Sequence, residues 1–307
     1  NGFGYGIHHL PISKDAVTRT ISARYHKDGA EVLIGQKGDR PRRLSIEEAM
    51  QLQGYDPEHF VFPVSNTQAY KQIGNSVVVP AVSECANEIA KIIIDEQKTY
   101  NSLSFKNLTD LLNTFKKLDA DKKIKVIILE GAGKGFSAGH NLKEVKGLKK
   151  KEKYQKLFNL CSKLMLQIVE GRKPVIAKVH GAAFAAGCQL VASCDLAYST
   201  NDTLFATPGV NIGLFCSTPM VAVSRKINRK PMMKMLLTGE PIKANYAKEI
   251  GLINDCYSKS KLNSEVLKVA KTIASKSNLT IKIGKQAFYK QLEMPLRKAY
   301  AYTSKMM

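Results

Sequence analysis

The chain lacks every short signature of a bound metal. Its six cysteines form no CxxC pair, and His8, His9, His26, His59, His140 and His180 fall in no HExxH or comparable ligand spacing. A metal site is therefore not expected. The sequence also lacks any continuous apolar run of the eighteen or so residues that a spanning helix needs, so no membrane partner is expected. It opens on Asn1 without a Met or a charged-then-apolar leader, so a targeting peptide is expected to be absent or removed. Cys85, Cys161, Cys188, Cys194, Cys216 and Cys256 lie mostly in apolar runs and read as small buried hydrophobes in a reducing compartment.

Acidic residues are scarce in one part only. Of the 307 residues, 1–97 carry 10 Lys+Arg and 12 Asp+Glu, a balance of −2, whereas 98–307 carry 37 and 14, a balance of +23. Arginine supplies 5 of the 10 cations in the first part and 4 of the 37 in the second. Two compositional habits thus meet near residue 98, and the length allows about two domains, 1–97 and 98–307. The lysine-rich stretch Lys146 to Lys153 reads as a solvated, mobile face.

What is present is organised around two strand-to-helix junctions. Val175-Ile176-Ala177-Lys178-Val179 is a short apolar run stopped by Gly181, as for a strand covered on both faces, and an apolar helix is expected to start near Ala186. Upstream, Lys125 to Glu130 reads as a strand, GAGKGFSAG as a glycine-rich loop, and His140 to Val145 as the start of a helix. Small residues at both junctions let another group approach the backbone where helix N-termini leave amides unpaired. One amide from each, His140 and Ala186, would make an oxyanion hole of backbone alone.

GKGFSAGHNLKEV, HGAAFAAGCQLVASCDLAYST, FATPGVNIGLFCSTP and LLTGEPIKANYAKEIGLIND occur in the order and rough spacing of the crotonase (enoyl-CoA hydratase/isomerase) superfamily, and the chain resembles that family from about Asn101 to Met307. The resemblance implies an α/β fold of ββα-spiral type. It also implies an acyl-CoA ligand whose thioester oxygen meets the amides of His140 and Ala186, with Ala138 and Gly139 at the rim and no tightly bound cofactor. The hydratases of the family use two glutamates as general acid and base. Gln189 and Gly209 stand at those positions, so hydration is not expected. Of the other candidates, Asp195 reads as a structural acceptor, His180 as a satisfied rim histidine, and Glu144 as a complement to its helix dipole, while the His140 ring is a possible base. The implied homotrimer would be weakened, since no counterpart of the family's first strands is expected before Asn101 and the chain stops short of its last helices. The implied compartment is mitochondrial.

Residues 1–97 resemble a second family. RRLSIEEAMQLQGYD and TQAYKQIGNSVVVPAV are similar to the last two motifs of DNA (cytosine-5) methyltransferases, and TRTISARY to part of their target-recognition region. This implies a small α+β fragment in which Gly74, Asn75 and Ser76 border a vestigial S-adenosylmethionine pocket, usable only if a missing catalytic domain completed it. The chemistry needs a Pro-Cys nucleophile, and no Pro-Cys occurs in the chain. The acidic balance also argues against nucleic-acid binding. Locally, 18–34 reads as a hairpin around Lys27-Asp28-Gly29, followed by a polar loop ending at Arg40-Pro41. Ser45 to Glu48 reads as a capping box, Asn66 to Asn75 as polar, and Val77 to Glu96 as an apolar helix.

Three readings follow. The first is a truncated crotonase-type acyl-CoA-binding domain without the usual acid–base pair. The second is a methyltransferase fragment with a passenger domain. The third is a composite, by natural fusion or faulty gene model, without integrated function.

Overall fold

The computed structural model describes residues 8–10, 32–36, 39–53, 55, 62–75 and 88–306. The chain divides into two compact units, 1–86 and 87–307. The division falls before the compositional boundary expected near 98, because a strand expected to be helix joins the second unit.

In the first unit β1 (His8–Leu10) pairs parallel with β2 (Val32–Gln36), and β2 pairs antiparallel with β3 (Asp39–Arg43). The hairpin expected at Lys27–Gly29 lies outside the described residues. Arg40 and Pro41, expected in a loop, belong to β3, which is an edge strand and so tolerates a residue without an amide hydrogen. The capping box is present. Glu48 N–H donates to Ser45 Oγ at 3.1 Å and Ser45 N–H donates to Glu48 Oε2 at 2.7 Å, opening the helix Ile46–Leu52. The same carboxylate takes both Arg42 guanidinium nitrogens at 2.7 Å. The polar stretch from Asn66 is a second helix, Asn66–Asn75. Leu44, Ala49, Met50 and Ile73 form the core between them.

The second unit is built on a five-stranded parallel sheet. Its strands are β4 (Ile89–Ile94), β5 (Val126–Gly131), β6 (Val175–Val179), β8 (Leu196–Thr200) and β11 (Asp255–Tyr257), in the order β11-β8-β6-β5-β4. The segment expected to be helical through Glu96 is β4. Ile92 and Ile94 turn inward while Lys91 and Ile93 face out, a period of two rather than 3.6. β4 also supplies a strand before Asn101, where the sequence suggested none.

Odd and even residues of β5 enter different cores, as a sheet covered on both faces requires. Ile127 and Leu129 join Leu108, Leu112 and Phe115 of the helix Phe105–Ala120, and Leu157 and Leu164 of the helix Lys151–Glu170. Val126 and Ile128 join Leu262, Val266 and Ala270 of the helix Lys259–Ala274. A smaller sheet, β7 (Ala182–Phe184), β9 (Leu204–Ala206) and β10 (Ile242–Lys243), is ordered β10-β9-β7. The helices Asn278–Leu292 and Leu296–Ser304 close the described chain.

The Arg42 hydrogen bonds, opposed by partial burial and aided by the Ser45 amide, lower the Glu48 pKa from 4.5 to about 2. A depressed carboxyl contributes stability above its unfolded pKa and loses it as pH falls toward the folded value. Glu48→Gln should weaken the helix Ile46–Leu52 at neutral pH by about 1 kcal/mol, a cap's worth plus a discounted surface ion pair. Amide hydrogen exchange in that helix measures it. The difference from the unmodified chain should be full at pH 6 and shrink from about pH 4.5 toward pH 2.

Candidate active site

Both junctions form and interlock, but the first helix begins at Leu142 rather than at the expected His140, which instead bridges to Leu103. At the first, Leu103 N–H donates to Gly139 O at 2.7 Å, and Gly139 N–H donates to Ser137 Oγ at 3.2 Å. Buried Asn101 ties the loop by donating to Ala132 O at 2.7 Å and Gly135 O at 2.8 Å. Asn141 then caps the short helix Leu142–Gly147, accepting from the amides of Lys143 and Glu144. At the second junction β7 runs into Ala185, which has φ 48° and ψ −115° and precedes the helix Ala186–Ser193. This conformation favours glycine and costs a side-chain-bearing residue of order 1–3 kcal/mol. Ala185 is held in it by its N–H to Ala206 O at 2.9 Å and its carbonyl to Gln189 N–H at 3.0 Å.

The junctions meet through atoms that are missing. A Cβ on Gly139, whose φ is +89°, would lie 2.9 Å from Phe184 O and 3.2 Å from Ala186 N; one on Gly187 would lie 2.3 Å from Ser137 O. No side chain fits at either position. The loop residue before His140 therefore packs directly on the turn that presents Ala186. Among the described residues, neither the His140 nor the Ala186 backbone N–H donates a hydrogen bond.

The side chains nearby offer little to move a proton. Gln189 is buried at 4 % exposure, and its Oε1 accepts a long contact from Cys161 Sγ at 3.9 Å. Gly209 lies in the 3₁₀ turn Pro208–Ile212 without positive φ. Its side-chain space is taken: a Cβ there would lie 2.6 Å from Leu214 O and 2.9 Å from Cys216 Sγ. Burial pushes the Cys161 and Cys188 thiols up to about 12, and raises Cys216 too. These sulfurs remain protonated at neutral pH and do not stand in for carboxylates.

The His140 ring lies edge-on to Phe158, with centroids 5.3 Å apart, and its Nδ1–H donates to Leu103 O at 3.2 Å. That bond makes Nε2 the unprotonated nitrogen. Nε2 is buried without a partner among the described residues, as is the Thr207 hydroxyl. Burial lowers the His140 pKa, against the opposing Leu103 carbonyl and Glu144 charge.

Glu144 lies in the first turn of its own helix, as its expected role beside the dipole requires, and it does more. Its carboxylate accepts Phe105 N–H at 3.0 and 3.3 Å and caps the neighbouring helix. Asp195 accepts Val175 N–H and Lys285 Nζ, each at 2.7 Å, and His180 Nε2 donates to Gly133 O at 2.9 Å. Ala138 is exposed and Gly139 buried beside His140. In the first unit Gly74 and Asn75 close the helix Asn66–Asn75, while Ser76 lies outside the described residues. The described residues include no group of three or more His, Cys, Asp or Glu placed to hold a metal. Cys161 beside Gln189, and Leu214 and Cys216 around Gly209, were not expected there from the sequence, because the folded chain brings them to these positions.

A family model for enoyl-CoA hydratase/isomerase matches residues 84–307, and the chain belongs to that family. It has the crotonase fold. It is 43% identical over 229 residues to the human mitochondrial enoyl-CoA hydratase domain-containing protein 3, covering 74% of this chain and 75% of that protein; the rat protein is 42% identical over 219 residues, covering 71% and 73%. The crystal structure of the human protein superposes with a TM-score of 0.71 at 43% identity, over 72% of this chain and 87% of that one. An enoyl-CoA hydratase of Mycobacterium smegmatis gives 0.71 at 41% identity, over 72% and 86%. Residues 4–91 match a model for C-5 cytosine-specific DNA methylases. They are 53% identical over 88 residues to the type II methyltransferase M.SsoII of Shigella sonnei, covering 29% of this chain and 22% of that enzyme.

The filled space at Gly209 changes what a rescue experiment can achieve. Gly209→Glu should destabilise the second unit by about 1–3 kcal/mol, the usual cost of overpacking. It should therefore fail to restore hydration of crotonyl-CoA, alone or with Gln189→Glu. A thermal melt together with an absorbance assay of the variants checks both statements. Hydration appearing in a stably folded double variant would show that the glutamate finds room.

Proposed function

We propose that the second unit binds an acyl thioester of coenzyme A through its carbonyl oxygen, using the backbone amides of His140 and Ala186. The observation that carries this reading is that both amides lack partners while Gly139 packs against Ala186 N. Two N–H groups on rigid, mutually packed loops can meet one oxygen without reorganising. The names of the relatives support a coenzyme A thioester as the ligand and a mitochondrial compartment as the location.

The site polarises the carbonyl but lacks the two carboxylates that would activate water and protonate the α-carbon. Gln189 is an amide and Gly209 has no side chain. Each general acid or base contributes about 10²–10⁴-fold, so hydration falls by several orders of magnitude. For the first unit we propose a methyltransferase tail without its own chemistry. It spans about a fifth of the curated relative it matches, and the chain supplies no Pro-Cys nucleophile.

Ala186→Pro isolates the second donor. Ala186 is the first residue of its helix, where proline removes an amide hydrogen that no helical bond uses. Calorimetric titration with butyryl-CoA should show at least about a tenfold weaker Kd for the variant, the loss of a charge-assisted hydrogen bond. Its circular dichroism should be unchanged. Equal affinity in a folded variant would remove Ala186 from the site.

A further inference from the structure

We propose that the surface from Lys143 to Lys156 docks the protein on an anionic lipid bilayer, although no membrane partner was expected from the apolar runs of the chain. A docking face is distinct from a span: no described helix is long and apolar enough to cross a membrane. These fourteen residues hold seven lysines and two glutamates, with no arginine. All seven lysines are exposed, and among the described residues none forms an ion pair; the paired lysines are Lys106, Lys125, Lys178, Lys248 and Lys285. Of the two acids, Glu144 is already bound to the Phe105 amide, which leaves Glu152 as the one uncommitted countercharge in the stretch.

Local structure gives Lys150, Lys151 and Lys153 no favourable role within the fold, whereas Lys146 sits in the last turn of the helix Leu142–Gly147. Lys150 occupies the N-cap of the helix Lys151–Glu170 without capping it, and Lys151 and Lys153 follow in the first turn. The dipole disfavours positive charge there. The cations surround apolar surface instead. A groove of about 190 Å³ is lined by Phe105, Glu144, Leu148, Lys153, Lys156 and Leu157, and Phe105 and Leu142 are 46% and 48% exposed. Lysines around an apolar slot fit a headgroup layer with acyl chains beneath it, the ammonium groups reaching out along flexible stems. A nucleic acid is a poorer fit, because the patch lacks the arginines that bind phosphate in a bidentate manner and offers no aromatic ladder for bases.

The test uses the full chain in co-sedimentation with vesicles of phosphatidylcholine alone or mixed with phosphatidylglycerol. Partitioning onto the mixed vesicles should be at least about tenfold stronger and should vanish at about 1 M salt, where screening is nearly complete. Each lysine near an anionic surface contributes roughly fivefold, so Lys149→Glu/Lys150→Glu/Lys151→Glu should lose most of the binding. The pair Lys149→Gln/Lys150→Gln should show a graded loss, and it keeps the test decisive if the triple variant does not fold. Equal binding to neutral vesicles, or full binding by a folded variant, would overturn the proposal. So would displacement by polyuridylate, which would mark a nucleic-acid face, or by free coenzyme A, which would make the patch part of the thioester site.

Discussion

The second unit depends on backbone meeting backbone where no side chain can stand. Gly139 lies against the Phe184–Ala186 turn, and Gly187 against Ser137, at separations that a single Cβ would close to 2.9 and 2.3 Å. Steric fit of this kind is stiff, since interiors are close-packed and adjust by discrete rearrangement rather than gradual yielding. The same contact seats the loop before His140 on the turn that leads into Ala186, where Ala185 is held in a conformation it would not choose alone. Strain kept by surrounding structure is a common mark of a site whose geometry matters.

The supporting bonds are long-range. Asn101 reaches the loop at Ala132 and Gly135, and Glu144 caps a helix that begins 39 residues earlier in the chain. Asp195 joins the Val175 amide to Lys285, which also donates to the Ile168 and Lys173 carbonyls at 2.8 Å. Removing one partner of so enclosed an ion pair leaves the other charge without compensation. The helix Asn278–Leu292 is thereby tied to the start of β6, the end of the sheet opposite the junction loops. A cleft of about 440 Å³ that includes Lys116, Asp119 and Arg172 also lies at that end.

Much of this was legible in the sequence because the signals were local. β6 begins and ends where its apolar run does, and the Ser45–Glu48 box opens its helix as its spacing requires. β4 was misread because a short apolar run such as IAKIII satisfies helical and strand periods alike; only pairing with β5 decides between them. Small residues at 138–139 and 185–187 pointed to close approach, and the structure supplies the reason. The crowding at Gly209 was not legible. The Leu214 carbonyl and Cys216 sulfur that fill the side-chain space there are brought to it only by the folded turn.

The proposed thioester site requires the His140 and Ala186 amides, which have no partner among the described residues, to share one ligand oxygen. A crystal structure of the chain with an acyl-CoA analogue in which a methylene separates sulfur from the carbonyl measures this directly. The carbonyl oxygen should lie within about 3.2 Å of both His140 N and Ala186 N, the range of an N–H···O hydrogen bond. A bound analogue whose oxygen meets neither amide, or only one, would contradict it.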